Sequence, residues 1–181
     1  MTGSERLANW VTEKHQDQMI KRTELPYFDH LNQVAQLAKD AAEWGYEIGL
    51  CHDLLEDTNT DSYDLKEALI GFGYPLRIAD LITLHVIELT DVFTKTAYPK
   101  LSKKERKKLE NKRLETLSAT AQTVKYADLI DNVAWMMKYD LKHAAKYLKK
   151  KSVLLTNLNR GNVYLRQQAM DIIQQELLKF E

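Results

Sequence analysis

Apolar residues recur every three or four positions along most of this chain, and strict alternation of apolar and polar residues is hard to find. A repeat of three to four residues is typical of helices that bury one face, whereas alternation is typical of strands. Only 6 glycines and 3 prolines interrupt the 181 residues. The pattern therefore predicts an all-α protein.

Short polar segments and helix-breaking residues divide the pattern into helices. Pro26 excludes a helix running through its segment, and Gly45 and Gly73 predict helix ends. Ser102 and Glu105 form the capping-box sequence of a helix that begins at residue 103. The predicted helices cover residues 3–20, 29–44, 46–56, 62–72, 75–87, 103–117, 120–139, 142–159 and 161–179. Residues 88–100 lack a clear period and are predicted to form a long loop, a kind of segment that is often functional.

Four ionisable residues interrupt an apolar stretch near residue 50: His52, Asp53, Glu56 and Asp57. On one continuous helix His52 would share a face with Glu56, and Asp53 with Asp57. Burying such groups is costly unless they form pairs, accept hydrogen bonds or bind a cation. A solvated helix end is the alternative, but the flanking leucines and Cys51 favour a core-facing segment and therefore a metal site.

Two further polar residues lie on apolar helix faces. His30 begins a stripe that continues with Val34, and Asp128 shares a face with Val124. An acidic residue on a core-facing stripe is seldom there for packing, so a partner is expected. With His52 and Asp53, these residues give two imidazoles and two carboxylates, a donor set without thiolate that suits Mn²⁺, Fe²⁺ or Zn²⁺. Four such ligands leave positions open for water, which points to catalysis rather than a structural site.

Composition narrows the possible partners and the compartment. The 26 basic and 26 acidic residues give a formal net charge of zero, which argues against a nucleic acid polymer or an anionic membrane as the main partner. Cys51 is the single cysteine and excludes an internal disulfide, which fits a reducing compartment. Neither a signal-peptide core nor a membrane-spanning run is found, so a cytoplasmic location is expected. The length fits one domain over residues 1–181.

The order His, His-Asp, Asp on a helical chain resembles the HD superfamily of metal-dependent phosphohydrolases. Longer motifs narrow the resemblance to the RelA/SpoT-type hydrolase domains and their small stand-alone relatives, which hydrolyse the alarmone guanosine tetraphosphate. Residues 26–30 (PYFDH) resemble the PYxxH motif of that family, and residues 52–58 (HDLLEDT) resemble HDxxEDT. Residues 88–91 (ELTD), 105–109 (ERKKL) and 124–132 (VKYADLIDN) are similar to its VTD, ERKRLQ and VKLADxxxN segments. The resemblance covers nearly the whole chain in order.

This resemblance implies an HD-domain bundle of about eight helices and hydrolysis of guanosine 3′,5′-bis(diphosphate), ppGpp, to GDP and pyrophosphate. The implied cofactor is Mn²⁺, with Fe²⁺, Zn²⁺ or Mg²⁺ as alternatives, and its implied ligands are His30, His52, Asp53 and Asp128. Glu56 and Asp57 would activate the attacking water. The implied contacts with the small nucleotide substrate are Lys21, Arg22, Arg106, Lys107 and Asn132.

The substrate contacts depart from the family pattern and keep other functions open. The basic pair Lys21 and Arg22 is swapped and displaced by one residue, Leu129 replaces a basic residue, and His143 stands where the family has arginine. A second hypothesis is therefore a hydrolase of another nucleotide or phosphorylated cofactor. A third is a non-catalytic helical module that senses a nucleotide, although the four proposed ligands and the Glu-Asp pair are all present. The sequence predicts no particular oligomeric state.

Other aromatic residues are predicted to have structural roles. His15 and His85 are expected to pack or to face solvent, and Trp10, Trp44 and Trp135 are expected in the core rather than as stacking surfaces for a ligand.

Overall fold

The computed structural model describes residues 1–180, which form ten α-helices and a terminal 3₁₀ helix. Glu181, the last residue of the predicted domain 1–181, lies outside the described residues. The all-α prediction is confirmed. The helices are α1 (Gly3–Lys14), α2 (Tyr27–Ala38), α3 (Gly45–Cys51), α4 (Leu54–Asp57), α5 (Ser62–Gly71), α6 (Leu76–Leu89), α7 (Lys103–Leu114), α8 (Ala119–Tyr139), α9 (Leu141–Asn157) and α10 (Val163–Leu177), and the 3₁₀ helix is Leu178–Phe180.

Helix α8 lies at the centre of the fold and packs against α2, α3, α6, α9 and α10. Its 21 residues include apolar side chains that are buried on more than one side of the helix, among them Val124, Ala127 and Val133. The hydroxyl of Tyr126, also fully buried, donates to the Leu158 carbonyl oxygen at 2.9 Å and links α8 to the end of α9. A polar residue on the inner face of α8 is therefore presented to several helices at once.

The N-terminal helix is shorter than predicted and ends at Lys14 rather than near residue 20. His15 Nδ1 contacts Gln18 Oε1 at 2.8 Å, and the Gln18 backbone N–H donates to the His15 carbonyl oxygen at 2.9 Å. These bonds close a turn directly after α1. Residues 15–26 then form a loop that the apolar pattern alone did not separate from the helix.

Helix α2 also differs from its prediction, since it begins at Tyr27 and ends at Ala38 rather than at Trp44. Gly45 does not terminate α2 but begins α3, while Trp44 adopts the left-handed conformation with φ 58°. A Cβ atom on Gly45 would overlap the carbonyl oxygen of Ala38. This glycine therefore allows a close approach of two backbones rather than a helix end.

The single helix predicted over residues 46–56 is interrupted at His52 and Asp53, between α3 and α4. Asp53 has φ −103° and ψ 0°, outside the α-helical region, but its carbonyl oxygen accepts the Glu56 and Asp57 N–H groups at 3.1 and 2.9 Å. The ionisable motif is therefore a helix break followed by one helical turn. The remaining differences are of one to three residues at helix ends, and the Ser102–Glu105 capping box is confirmed.

Within residues 1–180, the search for a helix long and apolar enough to cross a membrane finds none.

Gly49 gives the first prediction, because α2 and α3 meet most closely there. A Cβ atom on Gly49 would lie 2.6 Å from Ala35 Cα and 2.9 Å from Ala35 N. We expect Gly49→Ala to lower the free energy of unfolding by about 1–3 kcal/mol, since the helices must separate. Urea unfolding measures this change. Gly71→Ala is the matched control, with nothing within 4 Å of its added Cβ, and equal losses in both variants would contradict the prediction.

Candidate active site

Three parts of the fold bring His30, His52, Asp53 and Asp128 together. His30 comes from α2, His52 and Asp53 from the break between α3 and α4, and Asp128 from the buried face of α8. His52 Nε2 lies 3.1 Å from Asp53 Oδ2 and 3.9 Å from Asp128 Oδ1. His30 Nε2 lies 3.7 Å from the same oxygen of each carboxylate. We call these four residues the His-Asp cluster.

The His-Asp cluster has the donor arrangement that a divalent cation requires. One donor atom from each of His30, His52 and Asp53 lies within 4.8 Å of the other two. His52 Nε2 is buried without a hydrogen-bond partner among the described residues, although it faces two carboxylates. Buried carboxylates that face ring nitrogens need a positive charge between them, which a bound cation supplies and which a proton on His52 supplies without one. The cluster is therefore consistent with a divalent metal site.

Contacts behind the two imidazoles direct Nε2 of each ring toward the carboxylates. His52 Nδ1 donates to the Gly49 carbonyl oxygen at 2.7 Å, and His30 Nδ1 lies 2.6 Å from Asp131 Oδ2. Such partners fix the tautomer and the orientation of ligating histidines. Asp131 was not predicted to have this role. Its spacing of three residues from Asp128 on α8 was the available signal, since such residues are neighbours on a helix surface.

The two carboxylates of the cluster are also held by neighbouring side chains. The Tyr27 hydroxyl donates to Asp53 Oδ2 at 2.6 Å, and Lys125 Nζ lies 2.7 Å from Asp128 Oδ2. Asn132 Nδ2 donates to the other oxygen of Asp128. Lys125, Asp128 and Asn132 are spaced by three and four residues on α8, so they share one face of that helix.

The charges within the cluster shift the pKa values of its members. Burial alone would raise the pKa of Asp53 and of Asp128, but nearby positive charge, chiefly His52 for Asp53 and Lys125 for Asp128, holds both below their usual range. Burial alone would lower the pKa of His52, but Asp53 and Asp128 outweigh it and raise the pKa to about 9. A cation must therefore displace a proton from this ring, and its affinity is expected to increase with pH.

Glu56 and Asp57 lie next to the cluster and line a cleft of about 590 Å³ between α4 and the end of α1. Burial raises the pKa of Glu56 to about 7, and burial together with Asp53 raises the pKa of Asp57. The backbone N–H of Asp91 donates to Glu56 Oε1 at 2.6 Å. A carboxylate whose pKa is close to neutral is suited to general-base catalysis at neutral pH.

His15 supports this part of the site from behind. The side chain is only 2% exposed, and its ring stacks on Tyr27 with centroids 5.5 Å apart. Its hydrogen-bond partner Gln18 donates from Nε2 to the Asp57 carbonyl oxygen at 2.5 Å. The loop after α1 is thereby joined to the Glu-Asp pair.

A second cavity of about 400 Å³ begins at the His-Asp cluster and continues along the exposed side of α8. His30, Asp131 and Asn132 line it together with apolar and aromatic side chains: Ile20, Leu25, Tyr27, Trp135 and Tyr139. The prediction that Trp135 belongs to the core is wrong, because the indole is partly exposed in this wall and its Nε1 donates to the Lys21 carbonyl oxygen at 2.8 Å. Trp135 is seven residues, or about two helical turns, from Asp128, so both lie on the same side of α8. This spacing was the sequence signal that Trp135 lies near the cluster.

Two of the five predicted substrate residues line the second cavity, and the other three do not. Lys21 and Asn132 line the second cavity. The Arg22 guanidinium instead donates to the Tyr139 carbonyl oxygen at 2.6 Å and pairs with Asp140 at 3.0 Å, so it joins the loop to the end of α8. Arg106 donates to the Leu101 carbonyl oxygen. Lys107 is exposed on α7.

Lys151 on α9 is a cation that sequence reasoning did not identify. Its Nζ lies 5.3 Å from the centroid of the Tyr147 ring, and no carboxylate within residues 1–180 is within 4.0 Å of it. Burial and the charge of Lys125 lower the pKa of Lys151 to about 8. Lys107 also lowers this pKa, whereas Asp128 raises it. Positive charge therefore gathers beside Asp128. The amphipathic pattern of α9 gave no sign of this, because many of its lysines face solvent.

Comparison with known proteins agrees with the predicted resemblance. No family model matches the chain. Over 133 residues the chain is 34% identical to the guanosine-3′,5′-bis(diphosphate) 3′-pyrophosphohydrolase MESH1 of Xenopus tropicalis, and the match covers 70% of this chain. It spans 65% of the length of that curated relative.

The fold resembles a solved structure described as a metazoan ortholog of SpoT that hydrolyzes ppGpp and plays a role in starvation responses. The TM-score is 0.77 at 24% sequence identity, and the match covers 97% of this chain and 96% of the other. The predicted HD-type helical fold is therefore confirmed. The resemblance to RelA/SpoT-type hydrolases is supported by the sequence match to MESH1.

Proposed function

We propose that this protein is a metal-dependent phosphohydrolase that removes the 3′-pyrophosphate of ppGpp, giving GDP and pyrophosphate. The observation that carries the proposal is the His-Asp cluster: its His30 lines the second cavity, and its Asp53 directly precedes the helical turn that carries Glu56 and Asp57. The activity named for the MESH1 relative and for the SpoT ortholog is the same reaction class.

His30, His52, Asp53 and Asp128 would hold the cation, for which we propose Mn²⁺. Such an ion, when bound, lowers the pKa of a coordinated water and offsets charge on the phosphate. The chain itself prepares the site, because Asp131 and Gly49 orient the two imidazoles and Lys125 balances the charge of Asp128.

Glu56 would accept the proton of the attacking water. Its pKa of about 7 leaves a substantial fraction ionised at neutral pH, yet keeps it basic enough to take a proton. The Asp91 N–H holds one of its oxygens, so the other is left for the water. Asp57, one residue later in the same helical turn, would orient that water from the neighbouring position.

Cationic side chains would bind the leaving pyrophosphate. Lys151 has no carboxylate partner within 4.0 Å in the described part of the chain, whereas Lys125 is paired with Asp128. An unpaired ammonium beside the cluster is suited to an anionic oxygen that gains charge in the reaction. Lys107 contributes charge to the same region from α7. Arg106, which bonds to Leu101, is the weaker candidate for this role.

The nucleoside would lie in the second cavity, against the aromatic rings of Trp135 and Tyr27. Lys21 and Asn132 would lie at the polar edge of that cavity. Stacking on aromatic rings is a common way of binding a base. Arg22 is engaged with Tyr139 and Asp140, so it would shape the cavity rather than contact the base directly. This difference from the implied family contact keeps a second candidate open, namely hydrolysis of another nucleotide or phosphorylated cofactor.

Replacement of Trp135 tests the base-binding cavity. We expect Trp135→Ala to lower kcat/KM about 5- to 150-fold, mainly through a higher KM, because base stacking contributes about 1–3 kcal/mol. Steady-state kinetics with ppGpp measure the effect. Tyr164→Ala is the control, since Tyr164 is 86% exposed on α10. An unchanged KM in the Trp135 variant would exclude stacking on this residue.

A nucleotide panel tests the function itself. Purified protein with Mn²⁺ is incubated with ppGpp, GTP, GDP, ATP and 3′-phosphorylated nucleotides, and pyrophosphate and inorganic phosphate are measured separately. Release of pyrophosphate from ppGpp alone supports the proposal. Release of phosphate from other nucleotides supports the second candidate. Tight nucleotide binding without any turnover would favour a non-catalytic sensor instead.

A further inference from the structure

Glu110 is a buried carboxylate on α7, only 8% exposed, although most of this basic helix faces solvent. Its Oε2 accepts the backbone N–H groups of Val92 and Phe93, both at 3.0 Å. Its Oε1 accepts Nε of Arg113 at 2.5 Å. Both carboxylate oxygens are therefore committed to partners.

Arg113 binds the same loop from the other side. Its Nη1 donates to the Glu88 carbonyl oxygen at 2.7 Å, and its Nη2 donates to the Thr90 carbonyl oxygen at 3.1 Å. The pair thus satisfies four backbone groups of residues 88–93, a segment that leaves the end of α6 without regular secondary structure after Leu89. A fixed loop needs such partners, because its backbone groups are not paired by a helix.

The segment held by this pair reaches the proposed general base. The N–H of Asp91 donates to Glu56 Oε1 at 2.6 Å. Asp91 lies between the Thr90 carbonyl group, which Arg113 binds, and the Val92 amide group, which Glu110 binds. The donor to Glu56 is therefore fixed on both sides by α7.

We propose that Glu110 and Arg113 are positioning residues, which set the orientation of Glu56 through the backbone of residues 88–93. The inference rests on the proposed hydrolase function. A buried ionic pair is a costly way to fill space, and an apolar pair could serve packing equally well. What apolar side chains cannot do is fix two N–H and two carbonyl groups of a loop. Small displacements of a catalytic group lower rates steeply, by about 10²-fold for 1 Å.

Two variants and one control test the proposal. Glu110→Gln removes the charge and weakens the bonds to Val92 and Phe93, and Arg113→Lys keeps the charge but cannot bind Glu110, Glu88 and Thr90 together. Lys112→Ala changes an exposed residue of the same helix and is the control. We measure kcat and KM for ppGpp, the thermal midpoint, and amide hydrogen exchange of residues 91–93.

Both test variants are expected to lower kcat about tenfold or more, on the scale of a displacement below 1 Å, with KM changed less than about twofold. The amides of residues 91–93 should exchange faster, whereas Lys112→Ala should match the unaltered protein. Faster exchange with unchanged kcat would overturn the proposal, because the segment would then not position Glu56. A rise in KM with unchanged kcat would also overturn it.

A loss of the proposed hydrolase function can be distinguished from a loss of the positioning role of Glu110 and Arg113. If the unaltered protein did not hydrolyse ppGpp or any other nucleotide, the proposed function would fail. Amide exchange would then be the remaining test of whether Glu110 and Arg113 fix the backbone of residues 88–93. Unchanged exchange at Asp91 in both variants would overturn that role. If Glu110→Gln did not fold, Arg113→Lys would provide the same measurements.

Discussion

Asp53→Ala is expected to abolish turnover, with kcat lower by on the order of 10³-fold or more, and to remove the bound cation. Asp53 Oδ2 lies 3.1 Å from His52 Nε2 and 3.7 Å from His30 Nε2, so this oxygen contacts both imidazoles of the His-Asp cluster. Without it, Asp128 would be the only carboxylate left in the proposed donor set. The variant is also expected to lose some stability, because Asp53 pairs with His52 and accepts the Tyr27 hydroxyl, and removal of one partner leaves the other group buried without it.

The measurements are kcat with ppGpp and the metal content of the purified protein, with circular dichroism to confirm the helices. Asp40→Ala is the matched control, since Asp40 is an exposed residue just after α2. Retention of full activity and of one bound metal ion by the Asp53 variant would show that the cluster is not the metal site. Activity should follow Mn²⁺ content in the unaltered protein and fall on chelation.

Glu56→Gln is expected to lower kcat about 10²- to 10⁴-fold at saturating Mn²⁺, the usual contribution of a positioned general base. The amide keeps the size of the side chain and can still accept the Asp91 N–H at its oxygen, but it cannot take a proton from water. Metal content should be unchanged, which separates this variant from Asp53→Ala. Glu13→Gln is the control, because Glu13 lines the same cleft outside the proposed machinery.

The pH dependence of kcat/KM gives a second measure of the role of Glu56. Its pKa is raised from the usual 4.5 to about 7, chiefly by burial, so the active carboxylate is lost as the pH falls through that value. Activity should therefore fall about tenfold per pH unit on the acid side, and a bound cation nearby shifts the midpoint to lower pH. Saturating Mn²⁺ keeps the metal site filled. An identical acid limb in Glu56→Gln would contradict the assignment.

The helical class and the order of the main helices were predictable because they depend on local signals. The 3.6-residue repeat predicted α8 almost to its ends, and the Ser102–Glu105 capping box predicted the start of α7. The helix break at His52 was not predictable in this way, because the leucines on either side continue an apolar helical pattern. Gly45 was misread for a related reason: its role is a close approach to Ala38, a residue seven positions earlier.

Trp135, Arg22, Lys151 and Glu110 illustrate what the linear pattern could not reveal. Each has a role set by a partner far away in sequence or by the helix packed against it: the Lys21 carbonyl group for Trp135, Asp140 for Arg22, Lys125 for Lys151 and the amides of the loop after α6 for Glu110. Aromatic character alone assigned Trp135 to the core, and no local signal distinguished Lys151 and Glu110 from the other charged residues of their helices.

By itself, then, the sequence determined an all-helical chain and supplied the two imidazoles and two carboxylates at spacings that face the core. Local periodicity and the high cost of burying unpartnered charge were sufficient for that. Only the tertiary structure decided that α2, the α3–α4 break and α8 meet at these four side chains, and that α7 reaches Glu56 through a loop. Such contacts depend on how helices pack, and packing is decided by surfaces that residues distant in sequence form together.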